Sequence, residues 1–256
     1  AGNDVLNGGY DTDIAFYTDA TAGVKVSLAT TAAQVTGGSG TDTLIDIEDL
    51  LGSSFNDTLT GSADSSYIGD GAGNDSVSSG AGDDELYASL GNDTIDGGSD
   101  KDTFIFADAT AASKLNLGLT TAQATGSSGT DVITNIENIV GSSYNDSFIG
   151  NSGNNEFWGG NGNDTINGND GADTLAGDAG NDTLVSSGAG YYNGGADSDY
   201  IYAGLGVLET LDGGDGTDWL NTSTYTGAYL VNLATGANAV ETPNAVRETL
   251  AGLKNA

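Results

Sequence analysis

The sequence predicts an all-β solenoid in which short strands and tight turns wind into stacked coils. A nine-residue pattern, Gly-Gly-x-Gly-x-Asp-x-apolar-x, recurs along much of the chain, and a fixed short period is typical of repeat architectures. Glycines at positions one, two and four suit a tight turn because they permit positive φ and close backbone approach. The x-apolar-x triplet makes a short strand whose middle side chain points inward, so two units close a coil of 18 residues.

The period divides the chain into six segments. Two long blocks keep the nine-residue register, and units of different sequence, called spacers here, lie before, between and after them. We predict, in chain order, the end of a repeat block at 1–15, a spacer at 16–51, repeat block 1 at 52–104, a spacer at 105–140, repeat block 2 at 141–221 and a third, truncated spacer at 222–256. Both chain ends cut a repeat unit, which predicts a piece of a longer array.

The apolar residue at position eight of each unit is expected to form the core of the coils. These residues are Leu59, Ile68, Val77, Leu86, Ile95 and Phe104 in block 1 and Phe148, Phe157, Ile166, Leu175 and Leu184 in block 2. After block 2 reaches its fifth apolar position the register slips near Tyr191 and Tyr192, where we expect a loop or a bulge, and it recovers at Asp199.

The spacers resemble one another. Residues 24–57 align without a gap on residues 113–146, an offset of 89 residues, and a third, shorter copy runs from 229 to 252. We expect the spacers to continue the stack as wider coils.

Two strands are predicted within the first spacer. Apolar and polar residues alternate over 24–28, which is typical of a half-buried strand. A second strand is expected to point Ile45, Ile47 and Leu50 inward.

Composition excludes several classes of function. The chain has 256 residues with 37 acidic residues against 5 Lys plus Arg, a formal net charge of -32, so it lacks the basic surface that nucleic acid and anionic lipid require. No apolar run approaches the roughly 20 residues of a membrane-spanning helix. Cys, His and Met are absent, which leaves oxygen ligands as the available metal chemistry.

An external stabiliser is expected, because one apolar residue per unit buries too little surface to offset the entropy of ordering a glycine-rich chain. Stacking brings residues 18 apart face to face, for example Asp57, Asp75 and Asp93. Bare carboxylates at a sheet spacing of about 4.8 Å would repel one another. A hard dication would remove that repulsion, and Ca²⁺, which takes six to eight oxygens including backbone carbonyls, fits better than Mg²⁺.

The candidate calcium ligands are the position-six aspartates and the turn backbone. The side chains are those of Asp4, Asp13, Asp57, Asp75, Asp84, Asp93, Asp102, Asp146, Asp164, Asp173, Asp182, Asp199 and Asp218. The turn backbone is that of Gly71, Gly73, Gly80, Gly82, Gly91, Gly97, Gly98, Gly159, Gly160, Gly162, Gly168, Gly171, Gly177, Gly180, Gly213, Gly214 and Gly216. Ser66, Asn155 and Glu209 replace the aspartate and 186–193 lacks it, so weak or missing ions are expected there.

The units GGNGNDTIN at 159–167 and GGDGTDWLN at 213–221 resemble the nonapeptide of RTX, or haemolysin-type calcium-binding, proteins. The resemblance covers over half of the chain. It implies a right-handed parallel β-roll, or β-helix solenoid, stapled by calcium ions and largely unfolded without them. It also implies export in the unfolded state by a type I secretion system and folding outside the cell. The spacer stretch TDTLIDIEDLLGSSFNDTL is similar to spacers of large multi-repeat members.

The expected function is that of a non-catalytic calcium-binding module in a large secreted or cell-surface bacterial protein, such as an adhesin, surface layer or filament. The alternative is the carboxy-terminal calcium module of a secreted protease, lipase or polysaccharide epimerase. A third reading is a solenoid whose flat face binds ice or polysaccharide, although its outward residues are mixed. Glu48 and Glu137, aligned in the two spacers, are either catalytic carboxylates or structural residues, and we expect the structural role.

Calcium is the expected partner, and surface polysaccharide and other copies of the same protein are further candidates. Aromatic rings at positions seven and nine should lie on the outer face, where they either stack on a partner or are scattered strand residues. They are Tyr67, Tyr87, Trp158, Tyr200, Tyr202 and Trp219.

Overall fold

The fold was described from a computed structural model, which covers residues 2–87, 89–106, 109–185, 187–202, 209–221 and 230–232. Within these ranges the regular secondary structure is all β-strand. None of the described segments forms a helix with the length and hydropathy to cross a membrane. The third predicted spacer lies outside the described residues except for one short strand at 230–232. The chain divides into two compact units, Ala1–Ser143 and Tyr144–Ala256.

The described residues of the first unit form sixteen strands. They are β1 Val5–Asn7, β2 Ile14–Phe16, β3 Lys25–Ser27, β4 Gln34–Gly37, β5 Gly40–Ile45, β6 Asp49–Leu51, β7 Thr58–Thr60, β8 Tyr67–Gly69, β9 Ser76–Ser78, β10 Glu85–Tyr87, β11 Thr94–Asp96, β12 Thr103–Ile105, β13 Lys114–Asn116, β14 Gln123–Ala124, β15 Thr130–Thr134 and β16 Asn138–Val140.

Two parallel sheets of short strands form the walls of the first unit. One contains β2, β6, β8, β10, β12 and β16, and the other contains β3, β7, β9, β11 and β15. From β6 to β12, successive strands along the chain alternate between the two sheets, so each strand pairs with the strand one coil away. Leu59 pairs with Val77, and Val77 pairs with Ile95. Each pair is separated by 18 residues, the expected length of one coil. The unit is a parallel β-roll.

Ten strands lie within the described part of the second unit. They are β17 Ser147–Ile149, β18 Glu156–Trp158, β19 Thr165–Asn167, β20 Ala172–Ala176, β21 Thr183–Val185, β22 Ala189–Ala196, β23 Tyr200–Tyr202, β24 Glu209–Asp215, β25 Trp219–Asn221 and β26 Leu230–Asn232. Strands β17, β19, β21, β23 and β25 form one parallel sheet, and β18, β20, β22, β24 and β26 form the other. This unit is also a parallel β-roll.

The core of each unit lies between its two sheets, as the sequence predicts. All eleven position-eight residues named above are buried, with exposed fractions of 0% to 5%. Since the strands are only about three residues long, each coil contributes two inward side chains, one from each wall. Burial of these residues aligns the polar turns that flank them in register from coil to coil.

The spacers continue the stack, with one addition that the repeat does not predict. In the first spacer β4 and β5 form an antiparallel hairpin, and β14 and β15 form the equivalent hairpin in the second. Strand β15 still stacks in parallel on β11, with Ile133 opposite Ile95. The hairpin lengthens the coil. The hydrogen bond from the backbone N–H of Asp93 to Oδ1 of Asp131 therefore joins residues 38 apart in sequence, instead of 18.

Two expectations for side-chain placement were wrong. Leu44 and Leu50 are the buried residues of the first spacer's β5 and β6, whereas Ile45 and Ile47 are only half-buried. Tyr191 and Tyr192 lie in strand β22 and not in a loop or bulge. Tyr192 takes the inward position, pairing with Leu175 on one side and Leu211 on the other, and it is 1% exposed.

Candidate metal centres

Most of the predicted position-six aspartates are buried at the junction between a glycine turn and the short strand that follows it. Their exposed fractions do not exceed 3%. The buried members are Asp57, Asp75, Asp84, Asp93, Asp102, Asp146, Asp164, Asp173, Asp182, Asp199 and Asp218. Asp4 is exposed and Asp13 is half-buried. Burial of so many acids in a protein of net charge -32 requires a compensating interaction.

One carboxylate oxygen of each buried aspartate connects two coils. The backbone N–H of Asp75 donates to Oδ1 of Asp93 at 2.8 Å, and that of Asp57 donates to Oδ1 of Asp75 at 2.7 Å. In the second unit the N–H of Asp164 donates to Oδ1 of Asp182 at 2.7 Å, and that of Asp182 to Asp199 at 2.8 Å. These bonds confirm that residues one coil apart lie face to face.

The second carboxylate oxygen has no hydrogen-bond donor among the described residues, although it is buried. This holds for Oδ2 of Asp75, Asp84, Asp93, Asp102, Asp164, Asp182, Asp199 and Asp218. A buried carboxylate oxygen without a partner is costly, and native proteins usually satisfy such an atom with a donor, a water or an ion. These oxygens are therefore the atoms of the turns that most require a cation.

Glycine at position one leaves space beside Oδ2 of the position-six aspartate. A Cβ built on Gly97, Gly159, Gly168, Gly177 or Gly213 would lie within 3.0 Å of Oδ2 of the aspartate five residues later. No positive φ is needed at these glycines, which corrects the expectation for position one. Position one therefore requires glycine for the room beside the carboxylate and not for backbone conformation.

Positions two and four are the left-handed positions of the turn. Positive φ occurs at the predicted residues Gly71, Gly73, Gly80, Gly82, Gly98, Gly160, Gly162, Gly171, Gly180, Gly214 and Gly216. Gly91, at position four, does not share it. Asp100 at position four and Asp178 at position two adopt the same conformation with φ of 82° and 71°. Carbonyls of Gly80 and Gly160 accept N–H groups of Ser99 and Ala179 on the next coil, and their role as ion ligands stays a prediction.

Burial raises the pKa of several position-six aspartates. Desolvation is the main cause that raises the pKa of Asp75, Asp102 and Asp182 to about 7, from 3.8. The backbone N–H bond to Oδ1 lowers each pKa but does not offset burial. Without a cation, each of these groups is therefore a weak acid whose ionisation opposes the fold.

Asp57 differs from its neighbours because its carboxylate is fully hydrogen-bonded. Oδ1 accepts the N–H of Val24 at 2.7 Å and the hydroxyl of Ser53 at 2.8 Å, and Oδ2 accepts the N–H of Ser53 at 2.5 Å. Both oxygens are satisfied by the protein. Among the predicted ligands it therefore has the weakest requirement for an ion.

Sequence reasoning missed two position-six aspartates inside the spacers. Asp42 belongs to GGSGTDTLI at 37–45 and Asp131 to GSSGTDVIT at 126–134, so the nonapeptide pattern was the signal. Asp42 accepts the N–H of Asp4 at 3.1 Å with Oδ1, and with Oδ2 the hydroxyl of Thr36 at 2.9 Å. Asp131 has the same partners one copy later, the N–H of Asp93 and the hydroxyl of Thr125.

Positions without aspartate are filled in different ways. The side-chain oxygen of Asn155 accepts the N–H of Asn151 at 3.1 Å within the same turn, while the backbone N–H of Asn155 donates to Asp173 at 3.0 Å. Gly190 occupies position six opposite Asp173, and a Cβ there would lie within 3.0 Å of the Tyr192 hydroxyl. That hydroxyl donates to the carbonyl of Gly188 at 2.9 Å. The phenol therefore fills the space of the missing carboxylate. The side chain of Glu209 lies outside the described residues.

Buried carboxylates in register between stacked glycine turns define a cation-binding β-roll. The pattern of the family described as RTX calcium-binding nonapeptide repeat (4 copies) matches residues 1–17, 46–68, 51–86, 69–104, 125–166, 149–184 and 193–207. These ranges cover more than half of the chain, which belongs to this family. No curated protein matches the sequence.

Proposed function

We propose that the chain is a non-catalytic structural module that folds when extracellular calcium binds between its coils. Its parent would be a large secreted or cell-surface bacterial protein such as an adhesin, surface layer or filament. The observation that supports this proposal most directly is the row of buried aspartate Oδ2 atoms that lack a hydrogen-bond donor among the described residues. In a family whose repeats bind calcium, these atoms are the expected ligands.

The donor set favours calcium over other metals. Every candidate ligand is a carboxylate or a backbone carbonyl, which are hard oxygen donors. Ca²⁺ accepts six to eight such oxygens in a flexible geometry, whereas Mg²⁺ demands a tight octahedron and keeps water. A bound ion would neutralise the carboxylates of successive coils, so its binding free energy would stabilise the fold directly.

The two spacer glutamates support a structural role rather than catalysis. Glu48 accepts the N–H of Asp13 at 3.0 Å, and Glu137 accepts the N–H of Asp102 at 3.1 Å. Each therefore connects two coils as the position-six aspartates do, with a longer side chain. A carboxylate committed to the backbone in this way is a poor general acid or base.

Two kinds of parent protein are candidates, a structural or adhesive array and a secreted enzyme with a calcium-binding module. The spacer copies at an offset of 89 residues favour a long structural array. A calcium module of a secreted enzyme would instead be joined to a catalytic domain in the full-length sequence. Surface polysaccharide and further copies of the chain are the proposed partners, and outward rings such as Trp219 and Tyr202 offer contact area.

Calcium-dependent folding can be tested by far-UV circular dichroism. After removal of divalent ions, we expect titration with calcium up to millimolar concentrations to produce a cooperative gain of β-structure, and magnesium to produce little. A quadruple variant, Asp75→Asn, Asp93→Asn, Asp164→Asn and Asp182→Asn, keeps the side-chain shape but removes four buried charges. It should shift the calcium midpoint at least tenfold upwards.

The matched control changes four exposed acids, Asp11→Asn, Asp64→Asn, Asp170→Asn and Asp215→Asn. It alters the net charge by the same amount, and its midpoint should stay within about twofold of the unmodified protein. Equal responses of both variants would contradict a role for the buried carboxylates. A protein whose spectrum does not respond to calcium would contradict the proposed function itself.

A further inference from the structure

Asp70 occupies a position of the repeat that glycine holds in most units. It is the first residue of the unit 70–78, and its side chain is 1% exposed. Its Oδ1 accepts the N–H of Ser89 at 3.0 Å. Its Oδ2 is buried and has no hydrogen-bond partner among the described residues. The nonapeptide pattern assigns no side-chain ligand to this position, so the third carboxylate is a property of this chain.

Asp70 lies beside two position-six aspartates of the same turn edge. Oxygens from Asp70, Asp75 and Asp93, one from each carboxylate, lie within 4.8 Å of one another. Oδ1 of Asp75 and Oδ1 of Asp93 already accept backbone N–H groups, at 2.7 Å and 2.8 Å. Oδ2 of all three residues is buried without a hydrogen-bond donor in the described part of the chain.

Three carboxylates this close are unfavourable unless a positive charge joins them. Oδ2 of each carboxylate is buried without a donor in the described part of the chain, so neither solvent nor a protein donor offsets their repulsion. The cluster thus requires a proton or a cation, and a dication satisfies more of its oxygens than one proton can.

The comparable position in the second unit lacks the third carboxylate. There Asp164 and Asp182 also stack one coil apart, but the units that contain them begin with Gly159 and Gly177. Calcium affinity rises with the number of charged ligands and with the rigidity of the site. The two arrangements therefore differ in the number of charged ligands, which is one of the quantities that set calcium affinity.

A cleft of about 460 Å³ in the first unit adjoins one member of the cluster. Asp70 lines it together with Gly71, Ser89, Tyr67 and Tyr87, whereas Asp75 and Asp93 do not.

We propose that Asp70, Asp75 and Asp93 form a three-carboxylate calcium centre, which binds its ion more tightly than the two-carboxylate centres and fills first. The inference rests on the calcium binding proposed above and adds a ligand at position one of the repeat. It also makes the turns of the first unit, around 70–93, the place where ion-driven ordering begins.

Isothermal titration calorimetry with calcium on the whole chain tests this centre. Two variants are compared with the unmodified protein: Asp70→Asn, which removes the charge, and Asp70→Gly, which restores the usual residue of the repeat. Both should lose the tightest binding step, with a drop of at least tenfold in the affinity for the first ion. The later steps should change by less than twofold, as should every step in the control Asp64→Asn, which alters an exposed acid.

A second measurement separates a ligand from a structural residue. In calcium-free buffer Asp70→Asn should increase the residual β-structure measured by far-UV circular dichroism, because it removes a charge from a repulsive cluster, while it weakens calcium binding. Less residual β-structure together with an unchanged first binding step would overturn the proposal and leave Asp70 a structural residue bound to Ser89. If the unmodified chain bound no calcium, the proposed function would fail as well. Calcium binding with a first step unaffected by both variants would refute the Asp70 centre alone.

Discussion

Each buried position-six aspartate uses its two carboxylate oxygens differently. In Asp182, Oδ1 accepts the N–H of Asp164, whereas Oδ2 is left without a donor among the described residues. The residue that donates to Oδ1 need not be an aspartate itself, since the backbone N–H of Asn155 donates to Asp173 in the same way. Only a carboxylate offers the second oxygen the charge that a cation needs.

The sequence predicted which aspartates would stack but not this division between the two oxygens. Stacking follows from the period alone, because residues one coil apart must face each other. Which oxygen meets the backbone depends on side-chain and turn torsions that the spacing does not determine. Asp70 was missed for a related reason, since position one was read only as a place for glycine.

The space beside Oδ2 can be tested at the glycine that provides it. A Cβ on Gly177 would lie within 3.0 Å of both Asp182 Oδ2 and the carbonyl of Gly194. Gly177→Ala should therefore destabilise the calcium-bound protein by about 1 to 3 kcal/mol, as overpacking does. It should also raise the calcium midpoint, measured by circular dichroism during a calcium titration.

Gly153→Ala serves as the control for that variant. A Cβ at Gly153 would approach only the amide oxygen of Asn151, at 3.1 Å, and that side chain can move. The control should behave like the unmodified protein. Equal destabilisation by the two substitutions would mean that loss of glycine flexibility, and not the space beside Asp182, is responsible.

At the scale of the element, the spacers replace the cation with hydroxyl groups. Oδ2 of Asp42 accepts the Thr36 hydroxyl at 2.9 Å, and Oδ2 of Asp131 accepts the Thr125 hydroxyl. The antiparallel hairpins β4–β5 and β14–β15 bring these threonines to the carboxylates. In a spacer coil, Oδ2 of the position-six aspartate is therefore hydrogen-bonded by the protein, whereas the same atom has no donor in most described nonapeptide coils.

The hairpin could not be predicted from the repeat. Its first strand carries few apolar residues, and Val35 is 74% exposed, so the periodicity that identifies buried strands is absent. Its second strand, in contrast, keeps the full pattern GGSGTDTLI and could have been recognised as a nonapeptide inside the spacer. Recognition of that unit would have placed Leu44 inward in place of Ile45.

Loss of the hydroxyl donor should destabilise the spacer whether or not calcium is present. Thr125→Val keeps the size of the side chain but leaves Oδ2 of Asp131 without its hydroxyl donor. An unsatisfied buried acceptor costs about 1 to 3 kcal/mol, so the free energy of unfolding should fall by that amount. Thermal or urea unfolding in calcium would measure it.

The same substitution at the exposed Thr121 provides the control, and Thr121→Val should change the free energy of unfolding by less than about 0.5 kcal/mol. If Thr125→Val were as harmless, Asp131 would have to be satisfied by an ion like its neighbours in the nonapeptide blocks.

Across the whole molecule, the acids that stabilise the stack with calcium oppose it without calcium. The net charge is -32, and a large share of the buried polar groups are aspartates. Desolvation raises the pKa of Asp93, Asp164 and Asp199 to about 6 and that of Asp75, Asp102 and Asp182 to about 7. The calcium-free fold therefore binds more protons than the unfolded chain at mildly acidic pH.

The pH dependence of stability should reverse when calcium is added. A folded-state pKa above the unfolded value of 3.8 means that ionisation destabilises the fold, so calcium-free stability should rise as pH falls from 8 towards 5. In calcium the carboxylates must be ionised, so the calcium midpoint should rise over the same range. Far-UV circular dichroism at several pH values measures both trends, without calcium for the folded fraction and during calcium titrations for the midpoint.

The quadruple Asn variant described above isolates the buried groups from the general effect of net charge. Its calcium-free stability should depend less steeply on pH than that of the exposed-acid control. Calcium-free stability that increased with pH between 5 and 8 would contradict the assignment of raised pKa values to the buried aspartates.

The bonds from backbone to carboxylate give the stack a direction. In the second unit they run from Asp146 to Asp164, from there to Asp182, and on to Asp199 and Asp218, always from an earlier coil to a later one. One face of a coil therefore presents N–H donors and the opposite face presents carboxylate acceptors. A coil added upside down would set donor against donor or anion against anion, so these turns can join only head to tail.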